Sequence, residues 1–249
     1  MLPFHNGSLI EKSSRRRYNQ VIENDEVTGM KIKAVIFDLD GTLLNTLDDL
    51  AASVNAALEK NNLPVRSVDE VRSFVGNGVR RLIECAVPEL GEKHPQFQQT
   101  YDAFVAHYAE HSCDRTRPYD GVMDALDALL AEGVKLAIVS NKIDFAVKEL
   151  SALYFGDRML AAIGDDPSRA RKPAPDSVFA AMKIMGVTAD EAVYVGDSDV
   201  DVFTAHNAGL ECLAVSWGFR SEESLRAAGA DYVAHTAQEL VDIALSMGE

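Results

Sequence analysis

Short apolar runs that alternate with helical patterns constrain the fold of this chain more than any other feature. Lys33 to Phe37, Lys135 to Val139, Ala192 to Val195 and Cys212 to Val215 have the length of buried strands and are too short for ordinary helices. Leu160 to Ile163 and Tyr232 to Ala234 are weaker candidates of the same kind. Between them, Val122, Leu126, Leu129 and Leu130 recur at helical spacing up to Gly133, and Val178, Met182 and Met185 do so up to Gly186. This alternation predicts an α/β fold: a doubly wound, mostly parallel sheet whose ligands bind beyond the carboxyl ends of the strands.

One interval breaks the alternation. Between Thr46 and Pro118 there are helical stripes, Leu47, Leu50, Val54 and Leu58, then Phe97, Tyr101, Phe104, Val105 and Tyr108, and no convincing strand. The expected organisation is a core of residues 30–46 and 118–249 with an inserted helical cap at 47–117. Residues 1–29 are polar and weakly periodic, and they read as an extension outside the core; the cluster Arg15, Arg16 and Arg17 is expected to be solvated. That extension lacks the apolar stretch and small-residue cleavage site of a secretory signal.

A formal net charge of −15 disfavours non-specific binding to nucleic acid or anionic membranes. The three cysteines, Cys85, Cys113 and Cys212, are widely spaced and suggest neither a disulfide framework nor a metal site. No apolar run reaches the length of a membrane span, and a reducing cytoplasm fits this composition best.

Four polar stretches stand at the predicted strand ends: Asp38-Leu39-Asp40-Gly41-Thr42, Ser140-Asn141, Lys172-Pro173 and Gly196-Asp197-Ser198-Asp199-Val200-Asp201. In a doubly wound sheet their loops converge on one crevice, which would hold several carboxylates, a hydroxyl and a lysine. Paired carboxylates repel unless a cation or a proton lies between them. Such a set suits phosphoryl transfer. Asp38 is a nucleophile available at neutral pH, but it must approach a dianionic phosphate. A hard dication with oxygen ligands, most plausibly Mg2+, would bridge Asp38, Asp197 and a phosphoryl oxygen, while Lys172 and Ser140 hold the other oxygens. Asp40 would then give a proton to the leaving alcohol and later take one from the attacking water.

The four stretches "DLDGT", "SN", "RKP" and "GDSDVD" occur in order and in strand contexts, and through them the chain resembles the haloacid dehalogenase-like hydrolase superfamily from about Met30 onward. "FVGNGVRRLIE" and "LAIVSNK" extend the likeness to its phosphoglycolate phosphatase-like branch, which carries a helical cap after the first strand. The resemblance implies a Rossmann-like core and a Mg2+-dependent phosphatase of small phosphate esters, phosphoglycolate first, acting through an aspartyl-phosphate. A sugar phosphomutase, a pyrophosphatase and a non-enzymatic phosphate- or partner-binding module are the alternatives. Carried over by position, Asp38 is nucleophile and metal ligand, and Asp40 is acid/base with its main-chain carbonyl on the metal. Thr42, Ser140, Asn141 and Lys172 serve the phosphate, Asp197 completes the protein ligands, and Asp201 supports the metal waters. Asp40 also argues against dehalogenase chemistry, which in this superfamily lacks an aspartate at that position.

Plainer readings compete at several positions. A calcium loop fails on spacing, because Leu43 and Asp49, or Val202 and Ala208, stand where glycine and glutamate are required. "GDSDVD" also reads as a helix start, with acidic residues favoured at the positive dipole end. Ser140 and Asn141 suit helix capping as well as phosphate. His107 and His111 lie one helical turn apart near Cys113, but no matched ligand group stands elsewhere, so an ordinary helix is expected. In the cap, Gly76, Asn77 and Gly78 form either a plain turn or a substrate loop. Arg80 and Arg81 read as solvated cations or as partners for a substrate carboxylate, and Arg80 is carried with that loop as a candidate.

Overall fold

The computed structural model describes residues 32–89, 91 and 93–247. The expected extension at 1–29, with its arginine cluster, lies outside the described residues. Six parallel strands form one sheet in the order β5-β4-β1-β6-β7-β8. They are β1 (Ala34–Phe37), β4 (Lys135–Ile143), β5 (Met159–Asp165), β6 (Ala192–Gly196), β7 (Glu211–Val215) and β8 (Tyr232–Ala234). All six expected strands are present, the two weaker ones included.

Alternation along β1 explains why its residues are apolar without a break. Val35 and Phe37 face a core shared with α5 (Val122–Ala131), α6 (Asp144–Tyr154) and α10 (Ala237–Ser246). Ala34 and Ile36 face the opposite core, with α7 (Asp176–Met185) and α8 (Asp199–Ala208). A strand covered on both faces needs side chains that tolerate burial on both. The helix stops fall as expected: α7 ends on Gly186 at φ +66°, and α5 is followed by Gly133 at φ +80°, left-handed positions that favour glycine.

One boundary differs. The strand expected to end at Val139 continues as β4 to Ile143, carrying Ser140 and Asn141 inside it. Ile143 pairs with Asp165 after a register shift that follows Val139. Helix α6 then starts at Asp144 with no side-chain cap, so the capping role considered for Ser140 and Asn141 is not used.

Between β2 (Leu44–Asn45) and β3 (Arg117–Pro118) the chain forms α1 (Leu47–Lys60), α2 (Val68–Phe74), α3 (Gly78–Ala86) and α4 (Pro95–His111). β2 and β3 pair antiparallel, Leu44 with Pro118 and Asn45 with Arg117. Buried Asp49 ties the same base together by accepting from the Arg115 and Thr116 amides and the Thr116 hydroxyl at 2.8–3.0 Å. The four helices share an apolar cluster built on Leu50, Val54, Leu58, Ile83, Phe97 and Phe104, which Ala146 of α6 joins and against which Ile143 and Phe219 pack.

Candidate active site

The sheet order reverses at β1, with β4 on one side and β6 on the other, so the crevice opens beyond the end of β1. Asp38 and Asp40 leave that end, Asp197 and Ser198 follow β6, and Ser140 to Ile143 finish β4. These residues and Lys172 meet. Lys172 Nζ lies 2.9 Å from Asp38 Oδ1, an ionic approach without hydrogen-bond alignment, and donates to Asp201 Oδ1 at 2.7 Å and to the Tyr194 hydroxyl at 2.9 Å. Tyr194 in turn donates to the Val139 carbonyl.

Carboxylate oxygens of Asp38, Asp197 and Asp201 lie within 4.8 Å of one another, and all three residues are buried. Their remaining partners differ. Asp201 is fully engaged: Oδ1 takes Lys172, while Oδ2 accepts from the Asp197 and Ser198 amides and from Ser198 Oγ at 2.6 Å. Ser198 and Asp201 thereby form a reciprocal cap on α8, so the helix-start reading of "GDSDVD" is realised in full. Asp197 accepts from the Thr42 hydroxyl at 3.2 Å and the Phe219 amide at 2.7 Å, which leaves acceptor capacity on both oxygens. Asp38 Oδ1 is buried without a hydrogen bond. An all-oxygen donor set with an unsatisfied carboxylate at its centre fits a hard divalent cation, held by Asp38 and Asp197. Glycine permits this packing. A Cβ at Gly41, where φ is +87°, would stand 2.3 Å from Asp197 Oδ2.

Three buried carboxylates around one lysine leave negative charge in excess. Burial pushes the Asp38 carboxyl up to about 6, against the pull of Lys172 and with help from Asp201 and Asp40. Burial, then Asp201 and Asp38, hold Asp197 well above the ordinary range. Burial alone would lower Lys172, but Asp201 and Asp38 hold it well above the usual lysine value.

The crevice continues into a cavity of about 610 Å³, counting its open mouth, closed on the far side by Leu50, Val75, Gly76, Gly78, Val79 and Leu82 of the helical insertion. Asp40, Ser140, Asn141 and Lys142 line the near side. Asn141 Nδ2 donates to the carbonyls of Gly76 and Lys172, both at 3.1 Å. Thr42 lies off this cavity, with its hydroxyl on Asp197. Asn77 meets the core through its carbonyl, which accepts from Arg171 at 3.4 Å. Arg80, carried as a substrate candidate, does not line the cavity; its guanidinium lies over the rings of Phe97 and Tyr101 at 5.6 and 5.4 Å. His107 lies 2.9 Å from Ser53 Oγ, and His111 lies 2.8 Å from Asp114.

Lys142, Tyr108, Phe219 and Arg220 were not singled out by the sequence. Lys142 pairs with Asp40 at 2.8 Å and also donates to the Tyr108 hydroxyl on α4. A lysine directly after Ser140-Asn141 in a buried strand was the available signal. Phe219 and Arg220 follow β7 at the same end of the sheet, so their place in the topology pointed here, although their residue types did not.

Residues 35–215 match the family model described as haloacid dehalogenase-like hydrolase. Among curated relatives, a phosphoglycolate phosphatase of Chromobacterium violaceum is 34% identical over 218 residues, covering 85% of this chain and 96% of its own. One of Aquifex aeolicus is 32% identical over 190 residues, covering 76% and 86%. A crystal structure of a protein from Lactobacillus delbrueckii subsp. bulgaricus superposes with a TM-score of 0.82 at 34% identity, covering 87% of this chain and all of that one. Sequence, fold and the disposition of the acidic motifs agree: the chain belongs to the haloacid dehalogenase-like hydrolases.

Proposed function

We propose that this protein is a Mg2+-dependent phosphatase of small phosphomonoesters, phosphoglycolate foremost, and that it works through an aspartyl-phosphate on Asp38. The observation that carries the reading is the buried, unsatisfied Asp38 carboxylate, set between Lys172 and Asp197 at the floor of a cavity. The relatives named phosphoglycolate phosphatase support the substrate.

In this reading Asp38 and Asp197 hold the cation, with the Asp40 carbonyl as a further ligand. When bound, Mg2+ supplies positive charge that lets carboxylate and phosphate approach. Asp38 attacks phosphorus as the ester oxygen departs, and Asp40 protonates that oxygen. Asp40 then takes a proton from the water that attacks the acyl phosphate, which frees Asp38 and inorganic phosphate. Lys172, Ser140 and the Asn141 region neutralise and orient the phosphoryl oxygens. Residues 47–117 act as the cap whose closure excludes bulk water.

The test is a panel of phosphoglycolate, sugar phosphates, nucleotides and pyrophosphate, assayed with magnesium and with chelator. Phosphate release that chelator abolishes and magnesium restores is expected, with phosphoglycolate among the best substrates by kcat/KM. Isomerised sugar phosphate without phosphate release would replace the reading with a phosphomutase.

A further inference from the structure

We infer that Lys142 and Tyr108 form a positioning pair for Asp40, through which docking of helix α4 aims the acid/base carboxyl; this rests on the phosphatase reading above. Lys142 is a cation one residue before the end of core strand β4, with a side chain only 3% exposed. Burying an ammonium is costly unless partners hold it, and packing alone would be served by an apolar residue there. Its two side-chain partners come from different parts of the molecule. One is Asp40 Oδ1 in the loop after β1, at 2.8 Å; the other is the hydroxyl of Tyr108, which the helical insertion supplies. Asp40 Oδ2 has no hydrogen-bond partner among the described residues, so the pair fixes one oxygen and leaves the other for proton transfer.

The backbone of Lys142 is itself tied to the site. Its amide donates to the hydroxyl of Ser140, a candidate phosphate ligand, at 3.3 Å. Tyr108 is held in turn by stacking on Phe104, with ring centroids 5.4 Å apart, and is buried. Withdrawing α4 would therefore remove a Lys142 partner and slacken the carboxyl that protonates the leaving group. The acid is set only when the insertion is seated over the cavity.

Leaving-group dependence separates this role from a merely structural one. A p-nitrophenolate departs without protonation, whereas the alkoxide of phosphoglycolate needs it. With wild type, Lys142→Met, Lys142→Arg and Tyr108→Phe assayed on both esters, Lys142→Met is expected to lose about 10²-fold in kcat/KM on phosphoglycolate and far less on p-nitrophenyl phosphate. Tyr108→Phe should show the same bias more weakly, Lys142→Arg should recover part of the loss, and competitive inhibition by inorganic phosphate should be unchanged. Equal losses on both esters would overturn the inference, as would weakened phosphate inhibition, which would mean that Lys142 contacts the phosphoryl group. If Lys142→Met does not fold, Tyr108→Phe decides, since it keeps the ring and removes only the hydroxyl; wild-type behaviour on both esters would then overturn the pair. A wild-type protein inactive on every phosphomonoester would instead bring down the phosphatase reading itself.

Discussion

Lys172 is the residue on which the acidic centre balances electrically. It is buried, touches Asp38, Asp201 and Tyr194, and is the one cation among those groups. Lys172→Met leaves two buried carboxylates unpaired, so it should destabilise the metal-free protein by about 3–5 kcal/mol, read from denaturant midpoints. Asp38→Asn removes the proposed nucleophile while keeping its shape. Turnover should fall by about 10³-fold or more, with the circular dichroism spectrum intact. A pH dependence follows as well. The folded Asp38 carboxyl sits at about 6, above its ordinary value, so the fold binds this proton more tightly than the unfolded chain. Its contribution to metal-free stability is therefore lost as pH rises from about 4 through about 6. In chelator, the wild-type melting temperature should fall across that window more steeply than that of Asp38→Asn, and parallel curves would refute the assignment. The individual residues of this centre were legible because four polar stretches of distinct types fall in order at the ends of the expected strands. Asp201 was legible as a supporting residue, but its partners, the Ser198 hydroxyl and two amides, were not, because backbone donors leave no trace in composition.

At the scale of elements, the seam between the sheet and the helical insertion is made largely of side chains on backbone carbonyls. Arg220 donates to the carbonyls of Arg72 and Val75 at 3.1 and 2.7 Å, Asn141 to that of Gly76, and Arg171 to that of Asn77. All four acceptors lie at the end of α2 or in the Gly76-Asn77-Gly78 segment. Arg220→Ala should raise amide deuterium uptake across Arg72 to Gly78 and raise KM by several-fold, while kcat changes less. Unchanged exchange in that segment would show that the seam is held elsewhere. Apolar periodicity made the strands and the stripes of α1 and α4 readable, because burial demands it at fixed spacing. The seam was not readable, since a carbonyl acceptor belongs to every residue alike. Arg80 illustrates the same limit: its charge suggested a substrate, while its guanidinium lies over the rings of Phe97 and Tyr101 on α4 in the fold. The continuation of β4 through Ser140 and Asn141 escaped for a related reason. Polar side chains normally end a buried strand, and here Asn141 Nδ2 donates to the Gly76 and Lys172 carbonyls and Ser140 Oγ accepts from the Lys142 amide, while Asn141 Oδ1 stays buried without a partner.

Across the whole molecule, a parallel sheet gathers charges from distant segments, and the helical insertion closes the far side of the cavity beside them. Among the described residues no helix is long and apolar enough to cross a membrane. The excess negative charge at the end of β1 carries a prediction about bound cation. Magnesium should raise the melting temperature, and the increment should be larger near pH 7.5 than near pH 5.5, because protons and metal compete for Asp38 and Asp197. The central claim is that one member of the buried carboxylate group becomes covalently bonded to phosphorus. It is tested most directly by mixing the magnesium-loaded protein with radiolabelled phosphomonoester, quenching in acid within a single turnover to count protein-bound label, and, in a parallel sample, reducing the acyl phosphate with borohydride, which releases phosphate and leaves homoserine for peptide mass spectrometry to locate. The account predicts transient label and a reduced side chain at Asp38 alone; phosphate released at full rate with no labelled protein at any time would contradict it.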